Sequence, residues 1–363
     1  MKYIDEFRNP KLVEKISAKI MDLNPGNNIN IMEVCGTHTQ NFCRFGLKEL
    51  LPKNIRLISG PGCPVCVSSQ GYIDSAIELA KDKDALIVTF GDMLRIPGTF
   101  SSLEKEKTKF GNIRVIYSPL DSVTIALANP DKKVIFLAVG FETTAPTIAL
   151  SILAGQKERL KNLSFFSALK LIPPAMKYLL ADKRLKIDGF LCPGHVSAII
   201  GTKDYAFIPK KYKTACCVAG FEPVDILEGI CIILEQISLN KPYVANQYTR
   251  IVTPGGNPRA KRAISRVFER TDSDWRGFGI IPDSGLKLKD TYSRFDTNRV
   301  FALRSNKVVI KPIKQCRCGD VLKGLILPSD CPLFAKACQP DNPVGPCMVT
   351  TEGSCNVYYK FRR

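Results

Sequence analysis

Six short apolar runs, each closing on a turn and leading into a helical stretch, constrain the first two-thirds of this chain more than any other feature. Ile29–Val34 runs into Cys35-Gly36, Ile55–Ser59 into Gly60-Pro61-Gly62-Cys63, and Ala85–Phe90 into Gly91-Asp92. Val134–Val139 reaches Gly140-Phe141-Glu142, Gly189–Cys192 reaches Pro193-Gly194-His195, and Ala215–Ala219 reaches Gly220-Phe221-Glu222. Most of these runs are rich in Val and Ile and do not alternate apolar with polar residues, the pattern of strands buried on both faces of a parallel sheet. Ser69–Lys81, Thr144–Leu153 and Val224–Leu234 are the candidate covering helices, so the expected fold class is α/β. The Gly-Phe-Glu turn occurs twice, and a break near Ala128-Asn-Pro-Asp-Lys-Lys133 separates two blocks of strand, turn and helix. That organisation fits two related α/β domains or one long sheet.

In open parallel sheets ligands bind where the carboxyl ends of strands meet loops and helix N-termini. Cys35, His38, Cys63, Cys66, Asp92, Glu142, His195 and Glu222 all fall in such turns, and they include both histidines of the chain. Glu33-Val-Cys35-Gly-Thr-His38 places a thiol and an imidazole three residues apart, able to share a metal or to act as thiolate and base. A protease-like dyad is the weaker reading, because no orienting Asn or Asp is evident. Cys63-Pro-Val-Cys66 is a C-x2-C at a strand end, expected to open a helix whose dipole favours a thiolate, as in thioredoxin-type redox pairs. Half of a zinc knuckle is the alternative. Glu142 and Glu222 are either helix caps or cleft residues, and His195 is either cleft-facing or structural. Cys43, Cys192, Cys216, Cys217 and Cys231 lie in apolar runs or helices and read as packing residues.

The C-terminal third differs, with a basic helix candidate at Asn257–Arg270, a loop-rich middle around Asp283-Ser-Gly, and a cysteine-rich tail. Cys331, Cys338, Cys347 and Cys355 sit in Gly/Pro-broken sequence, with Cys316-Arg-Cys318 upstream. No secretory leader and no apolar run of spanning length is seen, so the chain is expected to start at Met1 and to be cytoplasmic, where structural disulfides are uncommon. Zinc sites gather thiolates as tight C-x2-4-C knuckles, and these wider spacings make none. A cubane accepts thiolates from wider, less regular loops, which makes [4Fe-4S] the preferred reading. The absence of C-x3-C-x2-C argues against radical S-adenosylmethionine chemistry. Cys316 and Cys318 read as a redox pair, a spare thiol near a cluster, or plain loop cysteines.

The net charge of +18, from 52 Lys and Arg against 34 Asp and Glu, invites a nucleic-acid reading. The basic residues are scattered, however, and no RNP, zinc-finger or helix-turn-helix pattern accompanies them. A solvated basic surface or an acidic protein partner accounts for the charge as well.

Met32-Glu-Val-Cys-Gly-Thr-His-Thr39, Ser59-Gly-Pro-Gly-Cys-Pro-Val-Cys66, Gly140-Phe-Glu-Thr-Thr-Ala-Pro146, Pro193-Gly-His-Val-Ser197 and the tail from Asp330 to Cys355 resemble, in order and over almost the full length, the HypD family of [NiFe]-hydrogenase maturation factors. The resemblance implies three α/β-type domains around a cleft, and with the break near 128 the expectation is two Rossmann-like parallel-sheet domains (1–128 and 129–245) and a C-terminal iron–sulfur module (246–363). It implies a [4Fe-4S] cluster on Cys331, Cys338, Cys347 and Cys355, and a scaffold role in assembling an Fe(CN)2CO centre. Cys35 would be the iron-binding thiol, with His38 beside it, and Cys63 and Cys66 the second cysteine motif. HypC would share the iron and HypE would deliver cyanide; no nucleic-acid or membrane partner is implied. Gln40 stands where many members of the family have a second histidine, so an imidazole there is not required in this chain. The rival expectation is a stand-alone, cluster-dependent thiol–disulfide oxidoreductase, and a third is a zinc-bound interaction module.

Overall fold

The computed structural model describes residues 4–303 and 315–361. Eleven strands are present among them: β1 (Ile29–Glu33), β2 (Ile55–Ser59), β3 (Ala85–Thr89), β4 (Ile113–Val115), β5 (Lys133–Gly140), β6 (Leu163–Lys170), β7 (Gly189–Pro193), β8 (Ala215–Ala219), β9 (Val244–Asn246), β10 (Phe268–Trp275) and β11 (Gly279–Leu288). They form a wholly parallel sheet in the order β2-β1-β7-β8-β9 and a second sheet in the order β10-β11-β6-β5-β3-β4. The second sheet is parallel from β6 to β4, and β10 and β11 form an antiparallel hairpin on its edge. The six apolar runs are β1, β2, β3, β5, β7 and β8, and the α/β class is as expected. Each sheet takes strands from both sides of the expected break at 128. Hydrophobic patterning reveals that a strand exists, whereas the choice of neighbour depends on long-range packing that adjacent sequence does not carry.

Alternate residues of the buried strands feed different cores. Ile31 and Leu191 face one cluster under the helices Pro10–Asp22 and Pro223–Ser238, while Met32 and Phe190 face a middle cluster. Leu86, Val88 and Phe136 pack beneath the helix Ala145–Lys157, whereas Ile87 and Ile135 join the same middle cluster. That middle cluster runs from one sheet to the other through the helices Gln70–Leu79 and Ile172–Ala181. It reaches the tail as well, taking in Cys338, Cys347, Met348 and Cys355. The tail is therefore joined to the main hydrophobic body.

The two Gly-Phe-Glu turns end in different roles. Glu222 is the N-cap of Pro223–Ser238, in a reciprocal capping arrangement with Asp225, and it pairs with Arg8. Glu142 is buried; its Oε1 accepts the backbone N–H of Ile172 at 2.9 Å, and its Oε2 has no hydrogen-bond partner. It thus joins the end of β5 to the start of Ile172–Ala181. Burial raises the Glu142 carboxyl from 4.5 to about 7. The fold prefers the neutral acid, so its contribution is whole below about pH 4.5 and is lost as pH rises through about 7. Glu142→Gln keeps the acceptor toward Ile172 and removes the titration. Its stability relative to wild type is expected to rise by about 3 kcal/mol between pH 4.5 and pH 8, measured by denaturant unfolding. A difference that does not change with pH would contradict this.

Candidate functional site

Cys35 leaves β1 in extended conformation (φ −149°, ψ 123°) and becomes the N-cap of the helix Gly36–Arg44. The backbone N–H groups of Thr37 and His38 at the start of that helix favour a thiolate there. Burial, and then the nearby Glu352 charge, still push the thiol up to about 12. Beneath it lies Glu33, a fully buried carboxyl raised to about 8 by burial. Glu33 accepts the backbone N–H of Cys35 at 3.2 Å and the hydroxyl of Thr39. Without a cation, then, this pocket holds protonated groups.

The turn after β2 is pressed against Cys35. Gly36 N–H donates to Gly62 O at 3.1 Å, and a Cβ on Gly62 would stand 2.5 Å from each of the N, Cα and C atoms of Cys35. Only glycine fits there. The following Cys63–Cys66 segment is a tight turn and not the opening of a helix. Val67 N–H returns to Cys63 O, and the helix Gln70–Leu79 begins later, capped by the Ser69 hydroxyl. The expected contribution of a helix dipole to this pair is therefore absent. Its polarisation comes from other sulfur atoms.

Those sulfur atoms belong to the tail. Cys347 lines the same cavity as Cys318 and Cys355, and the Cys66 thiol donates to the carbonyl of the preceding residue, Pro346, at 3.7 Å. Cys66 N–H donates to the Cys63 sulfur at 3.4 Å, and Cys316 and Cys318 both face Gly345. Burial raises both thiols of the first pair, but hydrogen bonds from Cys347, Cys63 and Thr350 bring Cys66 well below the usual thiol range. Bonds from Cys316 and Cys347, opposed by burial, likewise lower Cys318. Cys316 and Cys347 are raised, each first by its bond to Cys318.

Cys331, Cys338, Cys347 and Cys355, together with Cys316 and Cys318, line one small cavity. Leu333, Phe334 and Met348 supply apolar wall, and Val344 N–H donates to the Cys338 sulfur at 3.4 Å. Among the described residues, no three His, Cys, Asp or Glu side chains close on a single metal-ion position. The donors are all thiols spread around a space. Such a set matches the soft ligation of an iron–sulfur cluster, whose four irons take thiolates from separate directions.

The tail loop between Cys347 and Cys355 also reaches the Cys35 turn. A Cβ on Gly36 would meet Glu352 at 2.5 Å, and the Thr37 hydroxyl donates to Glu352 Oε1 at 2.8 Å. Cys63 Sγ lies 3.4 Å from the Thr350 hydroxyl. Cys35, Cys63, Cys66 and the tail cysteines are therefore brought together. Sequence reasoning overlooked Glu33, Thr350 and Glu352, although all three lie inside the motifs that it quoted.

His38 is oriented differently. Its Nε2 lies 2.8 Å from Gly220 O, so that nitrogen carries the proton, and the buried Nδ1 has no partner. Burial lowers this imidazole to about 4, keeping it neutral. His38 and His195 both pack on Phe221, with ring centroids 4.7 and 3.9 Å away. The second Gly-Phe-Glu turn is thus a support for both histidines. The cysteines read as packing residues behave so for the most part: Cys192, Cys216, Cys217 and Cys231 are buried, and Cys43 is partly buried.

Comparison with known proteins agrees with the motif order. The HypD family model, described as "Hydrogenase formation hypA family", matches residues 10–362. The hydrogenase maturation factor HypD of Azotobacter vinelandii is 43% identical over 371 residues, covering 100% of this chain and 97% of that protein. HypD of Escherichia coli is 40% identical over 370 residues, covering 100% and 99%. A putative hydrogenase expression/formation protein of Methanocaldococcus jannaschii is 41% identical over 351 residues, covering 97% and 95%. The chain belongs to the HypD family of hydrogenase maturation factors.

Proposed function

We propose that this chain is a cytoplasmic scaffold on which the Fe(CN)2CO unit of [NiFe]-hydrogenase is assembled, shared with the small partner HypC and supplied with cyanide by HypE. The observation that carries this reading is the meeting of three cysteine segments, the Cys35 turn, the Cys63–Cys66 turn and the tail, with Gly62 against Cys35, Gly36 against Glu352, Cys63 against Thr350 and Cys66 against Pro346. Cys35 is the anchor for the iron that is being assembled. Cyanide-bound iron takes a soft, electron-rich thiolate, and a thiol held near 12 gives up its proton as the metal binds. The lone pair on His38 Nδ1 is the second free donor carried by that helix. No helix among the described residues is long and apolar enough to cross a membrane.

Cys331, Cys338, Cys347 and Cys355 would hold a [4Fe-4S] cluster, which when bound supplies low-potential electrons. Cys63 and Cys66 support redox chemistry by themselves. Closing a disulfide between them releases two electrons and two protons, and one tight turn holds both residues, with Cys66 N–H on the Cys63 sulfur at 3.4 Å. A stand-alone thiol–disulfide oxidoreductase would draw on the same contacts, but it predicts no bound cyanide or carbon monoxide.

The test is anaerobic co-purification with the small partner, followed by infrared spectroscopy. Wild type is expected to give cyanide and carbonyl stretches, Cys35→Ala none, and Cys63→Ala/Cys66→Ala strongly reduced bands. A wild-type complex without those stretches would contradict the scaffold reading, and full bands in the double variant would remove the redox pair from it. Gly62→Ala sets a methyl group against Cys35 backbone that cannot yield, and is expected to cost about 1–3 kcal/mol of stability. Its infrared bands should be lost while its far-ultraviolet circular dichroism stays native. Bands of wild-type strength in that variant would show that the two turns need not be held in register.

A further inference from the structure

Arg276 carries a buried positive charge with no role in the chemistry above. It lies at the tip of the β10–β11 hairpin, beside Trp275, whose ring is fully buried and stacked on Phe141. Arg276 N–H donates to Val67 O at 2.9 Å and its Nε donates to Ser68 O at 2.9 Å. Both bonds tie the hairpin to the chain just leaving the Cys63–Cys66 turn. On the other side, a Cβ on Gly277 would meet Gly319 Cα at 2.4 Å, so the hairpin also lies against the residue that follows Cys318. The tip is wedged between two cysteine segments.

The terminal nitrogens Nη1 and Nη2 are buried without a hydrogen-bond partner, and Arg276 makes no ion pair among the described residues. The groups whose negative charge would act on it most are Cys318, then Cys347, Cys316 and Asp74. Asp74 is already engaged by the backbone N–H and the hydroxyl of Thr99, at 2.6 Å each. A guanidinium does not lose its proton in a protein, and its burial is costly unless an anion compensates it. The remaining candidates for that anion are the sulfur atoms of the basin.

We propose that Arg276 is the charge-compensating, positioning residue of the cysteine basin, donating its two free amino groups to anionic sulfur and raising the reduction potential of the iron–sulfur centre held there. The inference rests on the cluster reading above. Reduction adds a negative charge, so a fixed neighbouring cation and N–H donors to sulfur favour the reduced form. Lysine would keep the charge and lose the planar fork.

The experiment uses the full chain, purified anaerobically, with iron content and visible absorption measured before a redox titration followed by electron paramagnetic resonance. Arg276→Gln is expected to keep its iron and to titrate lower by about 59 mV, the one-electron equivalent of a tenfold change in the reduction equilibrium. Arg276→Lys should recover most of that shift. An unchanged potential in an iron-replete Arg276→Gln would overturn the inference. If that variant loses its iron, retention by Arg276→Lys supports charge compensation, and equal loss in both variants contradicts it. A wild-type chain without iron–sulfur absorption would sink the cluster reading itself, and this inference with it.

Discussion

The rest of the site depends on how closely the tail is pressed into the strand-end turns. Gly62 against the Cys35 backbone and Gly36 against Glu352 leave no room for a side chain at either position. Backbone packed on backbone cannot adjust by changing a rotamer, so the three cysteine segments are fixed relative to one another. The hydrophobic core enforces the same arrangement from below, because Cys347, Met348 and Cys355 belong to the cluster that spans both sheets. Displacing the tail would expose apolar surface as well as separate the sulfur atoms.

Within that rigid frame burial sets the protonation of the groups around the Cys35 turn. The Cys35 thiol and the Glu33 carboxyl are both raised by burial, and His38 is held neutral. Each is then in the form that a metal converts or uses directly: an acid that can lose its proton, or a free lone pair. Arg276 brings the only kind of side-chain charge that burial does not readily remove, and its hairpin lies against the residue that follows Cys318. The tight return of the β10–β11 hairpin sets Arg276 between the residues that follow Cys66 and Cys318.

Much of this was legible in the sequence, for identifiable reasons. Buried parallel strands announce themselves as unbroken apolar runs, and strand-end glycines mark the turns where ligands gather, so β1, β2, β5, β7 and β8 and the residues Cys35, Cys63 and Cys66 could all be found. The pairing of β1 with β7 could not, because nothing local distinguishes one buried strand from another. The Cys63–Cys66 turn was misread as a helix start, since Ser69, the residue that does cap the helix, lies only three positions beyond Cys66. Glu142 and Glu222 share a motif yet differ in role because only Glu222 has Arg8 within reach. Arg276 was hidden among 52 basic residues, and only its burial sets it apart.

The central claim is that the tail cysteines and Cys35 serve two separate irons, a resident cluster and the iron under assembly. Iron content and visible absorption of Cys347→Ser and Cys35→Ala, purified side by side under anaerobic conditions, test it most directly. The account predicts that Cys35→Ala keeps the iron–sulfur absorption of wild type and that Cys347→Ser loses it. Loss of that absorption in Cys35→Ala, or its survival in Cys347→Ser, would contradict the account.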